Sequence, residues 1–227
     1  ALADNSKRAL VQQATENGVN GGFSWIKAVG YGNIRIVEAP DDPDLLDANI
    51  EILAQERGMT PFDLIAMLAA KKGVRITLGT IDEADIRTLI VRPWVMIASD
   101  GAYIDTVSLK RGYAHPRASG SFTRVLGHYA RDLKLFPLSE AIRKMTSLPA
   151  QHLGFTDRGR IAKGLVADIV LFDPMIIDAK ATYADPSALS TGIHTAFVNG
   201  QVAFERGKAT GIIAGHFVKR QPVRKPD

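Results

Sequence analysis

The 227-residue sequence predicts an α/β protein, and three observations carry that prediction. Strand and helix patterns alternate over residues 1–158. A near-continuous apolar run at 94–98 leads into Ser99-Asp100-Gly101, the form of a strand buried on both faces in a parallel sheet. From Gly159 onward the pattern changes to short strands and turns, so residues 159–227 read as largely β.

The elements follow in order. Residues 5–17 read as a polar helix that ends at Gly18. After a Gly-rich stretch, Ile34 and Ile36 alternate with Arg35 and Val37, which marks a strand over 33–39 closed by Pro40 and Pro43. Residues 45–57 place Leu45, Leu46, Ile50, Leu53 and Ala54 at helical spacing, with Gly58 as the stop. Thr60-Pro61 starts another helix, with a hydroxyl cap, proline at the first position and Asp63 in the first turn. It runs to about Lys72, and Gly73 stops it. A short strand follows at 74–78, then a short helix at 82–89 with acids near its start. Residues 102–120 read as a loop that carries His115-Pro116-Arg117. Helices are expected at about 121–133, 139–146 and 149–153. Residues 167–174 form a strand, and 194–211 a hairpin around Asn199-Gly200, the strongest short hairpin signal.

Composition narrows the function classes. Apolar residues make up 46% and charged residues 23%, the balance of a globular protein. No window reaches the ~18 apolar residues of a membrane helix, since the apolar stretch at 62–70 stops at Lys71-Lys72. With no cysteine in the chain, a disulfide scaffold, a thiolate metal site and a cysteine nucleophile are excluded. The net charge of +4 is scattered among carboxylates. Its one basic cluster, Lys219, Arg220, Arg224 and Lys225, reads as a solvated tail, so neither nucleic acid nor membrane is expected as a partner. The first ten residues lack the apolar run of a signal peptide, and a cytoplasmic location is the expectation. Ala1 in place of Met points to a processed product or a fragment.

A set of motifs then stands in a fixed order: Ser-Asp-Gly at 99–101, HPRASGSFTRVLGHYARD at 115–132, LSEAIRKMTSLPAQHLGFTDRGRIAKGLVADIVLFDP at 138–174, and GIHTAFVNGQVAFERGKATGIIAGHFV at 192–218. Together they resemble the C-terminal half of the D-aminoacylases, the N-acyl-D-amino-acid deacylases of the amidohydrolase superfamily. The resemblance is densest from Trp94 to the end and looser over residues 25–89. It implies the last part of a metal-dependent TIM (β/α)8 barrel over 1–158, including a helical insert, and part of a small β-sandwich over 159–227. It also implies one or two zinc ions whose ligands come mainly from a first half that this sequence does not match. The five histidines, His115, His128, His152, His194 and His216, show neither an H-x-H nor an i, i+4 pair, so this chain by itself is not expected to build the metal site.

The resemblance also assigns roles to residues. Asp100 matches the aspartate at the end of the eighth barrel strand, a metal ligand and the catalytic group that takes a proton from the attacking water and passes it to the leaving nitrogen. On pattern alone, Asp100 is read as a turn residue before glycine rather than as a catalytic carboxylate. Arg117 and His115 fall in the family's H-P-R loop on the substrate side. A guanidinium suits the substrate carboxylate because it offers a planar two-donor fork, although a structural arginine bound to carbonyls is the plain alternative. Lys110, Arg111 and Tyr113 are further polar candidates and would suit an acidic substrate such as an N-acyl-D-glutamate. Gly101 is read as permitting a sharp exit from the strand. Gly120, Phe122, Arg124, Gly127, Arg158, Gly159 and Asp168 are read as scaffold.

The expected activity is therefore metal-dependent hydrolysis of the amide bond of N-acyl-D-amino acids. The expected partner is the N-terminal half of the same enzyme or a complementary subunit, because part of a barrel leaves open edges and apolar surface. Two other readings stand beside it: a non-catalytic structural module, and a cyclic amidohydrolase of the dihydroorotase or hydantoinase kind.

Overall fold

The computed structural model describes residues 4–101, 115–183 and 185–219. They fall into two compact units, the first up to Glu83 and the second from Ala84 onward. No helix among the described residues is long and apolar enough to cross a membrane.

In the first unit, α1 (Asn5–Asn17) is capped by the Asp4 carboxylate, which accepts from the Ser6 amide, and it stops at Gly18 with φ 82°. Helix α2 (Trp25–Val29) is capped by Ser24, and β1 (Ile34–Glu38) follows. Strand β1 pairs antiparallel with β2 (Arg75–Leu78), in register Ile34↔Leu78 and Ile36↔Ile76. The alternation read from sequence is real: Ile34 and Ile36 are fully buried while Arg35 is exposed. They pack with Ile50, Ala54, Leu64 and Leu68 of α3 (Ile50–Glu56) and α4 (Pro61–Ala69). Each large aliphatic side chain buried there contributes about 1.5–3 kcal/mol.

The helix expected over 45–57 begins later than its periodicity indicates. Pro43–Leu45 form a short 3-10 turn, Leu46 is extended and Asp47 has φ 63°. Asn49 then starts α3 by accepting from the Glu51 and Ile52 amides. A local side-chain cap outcompetes apolar spacing here.

In the second unit, α5 (Glu83–Ile90) precedes α6 (Pro116–Arg124), which continues as π-helix through Val125–Asp132. Then come α7 (Leu138–Met145) and α8 (Ser147–His152). Strands β3 (Ile169–Phe172), β4 (Ile193–Val198), β5 (Gln201–Glu205) and β6 (Lys208–Ala209) form an antiparallel sheet in that order. Ile90, Val125, Leu126, Tyr129, Phe136, Ala141 and Ile177 make the core, with Phe172 and Ile193 against it. The β4–β5 turn places Asn199 at φ 50° and Gly200 at φ 76°, the two left-handed residues of a type I′ turn. Asp168 braces it: one carboxylate oxygen accepts from the Asn199 amide at 2.9 Å and the other from Arg158 at 3.0 Å. Gly127 is scaffold as expected, since a Cβ there would lie 2.4 Å from the Ile177 carbonyl oxygen.

The run at 94–100 is not a strand, which corrects the sequence reading. Every paired strand among the described residues is antiparallel, and none of them pairs with this run. A strand exists only through a ladder to neighbours. Here the Ile97 amide donates instead to the carbonyl of Lys144 in α7, at 3.1 Å. The run begins in a turn, continues without regular secondary structure, and is fastened to a helix.

Candidate functional site

The three residues singled out from the sequence, Asp100, His115 and Arg117, come together at the start of α6. This helix begins five residues earlier than the periodicity at 121–133 indicates. Pro116 occupies its first position and His115 is its cap, with the ring Nδ1 accepting from the Arg117 amide at 3.0 Å. That bond needs an unprotonated Nδ1, so the neutral ring carries its proton on Nε2. The surroundings favour the neutral form. Burial pushes the His115 imidazole below its ordinary value, the Arg117 charge pushes it the same way, and Asp100 opposes both. The edge of the ring also meets Tyr183, with centroids 5.1 Å apart.

Arg117 reaches from the first turn of α6 to Asp100, its Nη1 lying 3.0 Å from the carboxylate Oδ2. The Asp100 side chain is 85% exposed and that of Arg117 46%, so both can be reached by a small molecule. One guanidinium nitrogen on Asp100 leaves further donors of the fork for a second anion. Asp100 sits in the left-handed region at φ 47°, which is uncommon for a residue other than glycine.

Gly101 has a different duty from the one read in the sequence. The left-handed residue of the Ser-Asp-Gly turn is Asp100, whereas Gly101 lies against α6. A Cβ on Gly101 would be 2.6 Å from the Cα and 3.0 Å from the Cβ of Ala118. The glycine lets the turn approach the helix closely enough for Asp100 to meet Arg117. Ser99 supports the turn by accepting from the Gly101 amide at 3.2 Å.

Two residues of this neighbourhood escaped the sequence reading. Tyr183 has no local signal, because the segment that brings it to His115 is distant in sequence. Lys144 had one: it stands on the same face of α7 as buried Ala141, three residues away, where an apolar side chain is expected. Its side chain is completely buried. Lys110, Arg111 and Tyr113 lie outside the described residues.

No group of three or more His, Asp or Glu side chains able to hold a metal ion occurs among the described residues. Asp100 offers one open carboxylate. Nδ1 of His115 is engaged as the α6 cap, and Nδ1 of His216 lies 2.9 Å from the Asn199 amide group. The described donor set by itself does not fit a metal centre.

A curated D-aminoacylase of Alcaligenes xylosoxydans xylosoxydans is 37% identical over 178 residues, which is 78% of this chain and 35% of the relative. An N-acyl-D-glutamate deacylase of the same organism is 42% identical over 124 residues, 55% of this chain and 24% of the relative. A solved N-acyl-D-glutamate deacylase from Bordetella bronchiseptica, in complex with zinc and a phosphonate that mimics the tetrahedral intermediate, superposes with a TM-score of 0.66. It is 30% identical, and the match covers 91% of this chain and 44% of that one. The chain thus spans about a third of the length of the curated D-aminoacylase. The profile of the amidohydrolase family matches residues 51–204, and this chain belongs to that family.

Proposed function

We propose that this chain is the Asp100-bearing part of a metal-dependent hydrolase that cleaves the amide bond of N-acyl-D-amino acids. The observation that carries the reading is the 3.0 Å pairing of an exposed carboxylate with an exposed guanidinium, both placed by the close approach of the Ser-Asp-Gly turn to α6. The relatives at 37% and 42% identity are deacylases of this class, and that agreement supports it.

Asp100 is the general base and then the general acid. Its carboxylate takes a proton from the water that attacks the amide carbon. The same proton goes to the amide nitrogen as the C–N bond breaks, and the products are a carboxylic acid and the free D-amino acid. Arg117 anchors the substrate's α-carboxylate through the donors not used on Asp100, which sets the distance from the scissile bond to the Asp100 carboxylate. Neutral His115 holds Arg117's own backbone in the first turn of α6 and lines the substrate side. The substrate class includes acidic side chains, as in the N-acyl-D-glutamate deacylases that the chain resembles.

On this reading residues 1–158 belong to the last part of a (β/α)8 barrel and 159–227 to a β-sandwich. Zinc, one or two ions, is the implied metal, with Asp100 as one ligand. The remaining ligands come from the N-terminal half of the same enzyme or from a complementary subunit, because the described residues do not make the site alone.

The test is hydrolysis of N-acetyl-D- and N-acetyl-L-amino acids by the zinc-loaded assembly of this chain with that complement. The reading expects hydrolysis of the D series only, and a loss of about 10²–10⁴-fold in kcat for Asp100→Asn, the usual worth of a general acid–base. Undiminished turnover by Asp100→Asn, or cleavage of cyclic amides in preference to linear ones, would overturn it.

A further inference from the structure

We propose that Lys144 is a positioning residue for Asp100: its buried ammonium holds the run from Arg92 to Ile97 against α7 and so fixes where the following turn presents the carboxylate. The proposal rests on the reading of Asp100 as the acid–base group.

The run that leads to Asp100 is apolar, and none of the strands among the described residues pairs with it. Its backbone is tied instead to one turn of α7. The Lys144 ammonium donates to the carbonyls of Arg92 and of Val95, the latter at 3.1 Å. The Lys144 carbonyl accepts from the Ile97 amide at 3.1 Å. Arg143 donates to the Pro93 carbonyl at 2.5 Å and is itself steadied by Glu140 at 2.7 and 2.8 Å. Residues 143 and 144 thus hold four positions of the run, and Asp100 follows three residues after the last of them.

The chemistry of Lys144 indicates that this clamp is what keeps a charge in the core. Its side chain has 0% exposure. Burial pushes its ammonium below the ordinary lysine value, Glu140 opposes that, and Arg143 reinforces it. An ammonium taken out of water is costly unless its donors are all met. Two of its donors meet carbonyls and the Glu140 carboxylate lies 3.6 Å away. Packing alone would be served as well by leucine or methionine at this face of the helix. A methionine, however, would leave the Arg92 and Val95 carbonyls without their donor. On the far side of the turn, Gly101 abuts Ala118 of α6. The segment is therefore gripped at both ends, by α7 before Asp100 and by α6 after it. The distance from Asp100 to Arg117 depends on both grips, and misplacement by about 1 Å costs on the order of 10²-fold in rate.

The experiment is a double-mutant cycle between Lys144→Met and Asp100→Asn in the zinc-loaded assembly, with hydrogen exchange at the Ile97 amide followed in parallel. Lys144→Met is expected to lower kcat about 10- to 100-fold with KM nearly unchanged, and to speed exchange at Ile97. Lys144→Arg, which keeps a buried donor, is expected to recover part of the loss. In the Asp100→Asn background Lys144→Met is expected to change the residual kcat less than about twofold, because a positioning residue has nothing left to position. The same loss in both backgrounds, or unchanged kcat and exchange in Lys144→Met, would overturn the proposal. Full activity of Asp100→Asn alone would overturn the acid–base reading, and it is seen without any change at position 144. If Lys144→Met does not fold, Arg143→Ala tests the same clamp from a partly exposed side chain. A several-fold fall in kcat that vanishes with Asp100→Asn supports the proposal, and an unchanged kcat refutes it.

Discussion

Replacing Gly101 by alanine tests whether close approach, rather than backbone conformation, sets the candidate site. The new Cβ would sit 2.6 Å from the Ala118 Cα. Carbon atoms at ordinary contact are no closer than about 3.5 Å, so the turn and α6 must separate by about 0.9 Å. Neither atom is the end of a flexible side chain, so the backbone itself has to give. Overpacking of this size costs about 1–3 kcal/mol. Because Asp100 adjoins Gly101 and Arg117 adjoins Ala118, most of the separation passes to the pair now at 3.0 Å. A displacement near 1 Å predicts a loss of about 10²-fold in kcat, read by steady-state hydrolysis of an N-acetyl-D-amino acid, with thermal unfolding as the control for stability. Ala118→Gly in the same chain removes only the contact at 3.0 Å and leaves the one at 2.6 Å, so it should rescue partially and no more. Activity of Gly101→Ala within twofold of the parent would refute the reasoning, since it would show that the site does not depend on this approach.

Other consequences concern the fold. His115→Ala should cost about 1 kcal/mol of stability through loss of the α6 cap, measured by urea unfolding. The pH dependence has a definite sign. His115 is held below its ordinary value of 6.5 in the folded chain. The folded state therefore binds fewer protons than the unfolded one, and its contribution is complete above that value and declines as pH falls below it. His115→Asn, which keeps an acceptor that does not titrate, should flatten that part of a urea-midpoint profile between pH 7.5 and 5.5. Asn49→Ala removes the acceptor for the Glu51 and Ile52 amides and the 2.6 Å bond to the Gly32 carbonyl. A fall of about 1–2 kcal/mol is expected by thermal unfolding. Gly200→Ala meets only the Ala167 Cβ at 3.9 Å, so its cost is that of φ 76° alone, about 1–2 kcal/mol, seen in the same assay.

What was legible in the sequence was what is locally encoded. Thr60-Pro61, with Asp63 in the first turn, starts α4 where it reads as starting, and Asn199-Gly200 turns the hairpin where it should. Local signals also failed when an unusual residue carried them. His115 caps α6 in a place where serine, threonine or asparagine is sought, although Pro116 behind it was the clue. Arg206, with φ 50°, makes the β5–β6 turn with Gly207 and gave no warning, since arginine seldom takes that conformation. The run at 94–100 was misread for a non-local reason. Its composition is that of a buried strand, but a strand needs neighbours, and its amide at Ile97 found a helix carbonyl. At the candidate site, motif order singled out Asp100, His115 and Arg117, which lie together at the start of α6, whereas the grips by Ala118 and Lys144 come from contacts that motif order does not encode.

The central claim is that Asp100 and Arg117 serve the two ends of one substrate. It is tested most directly by kcat and KM for an N-acetyl-D-amino acid and for the same compound with its α-carboxylate replaced by a carboxamide, in the parent and in Arg117→Ala. A charge-assisted guanidinium contact is worth about 1.5–3 kcal/mol, or about 10- to 150-fold. The account predicts that Arg117→Ala raises KM for the acid by that order and leaves the carboxamide nearly unaffected. Equal losses on both compounds would show that Arg117 does not read the carboxylate, and would contradict the account.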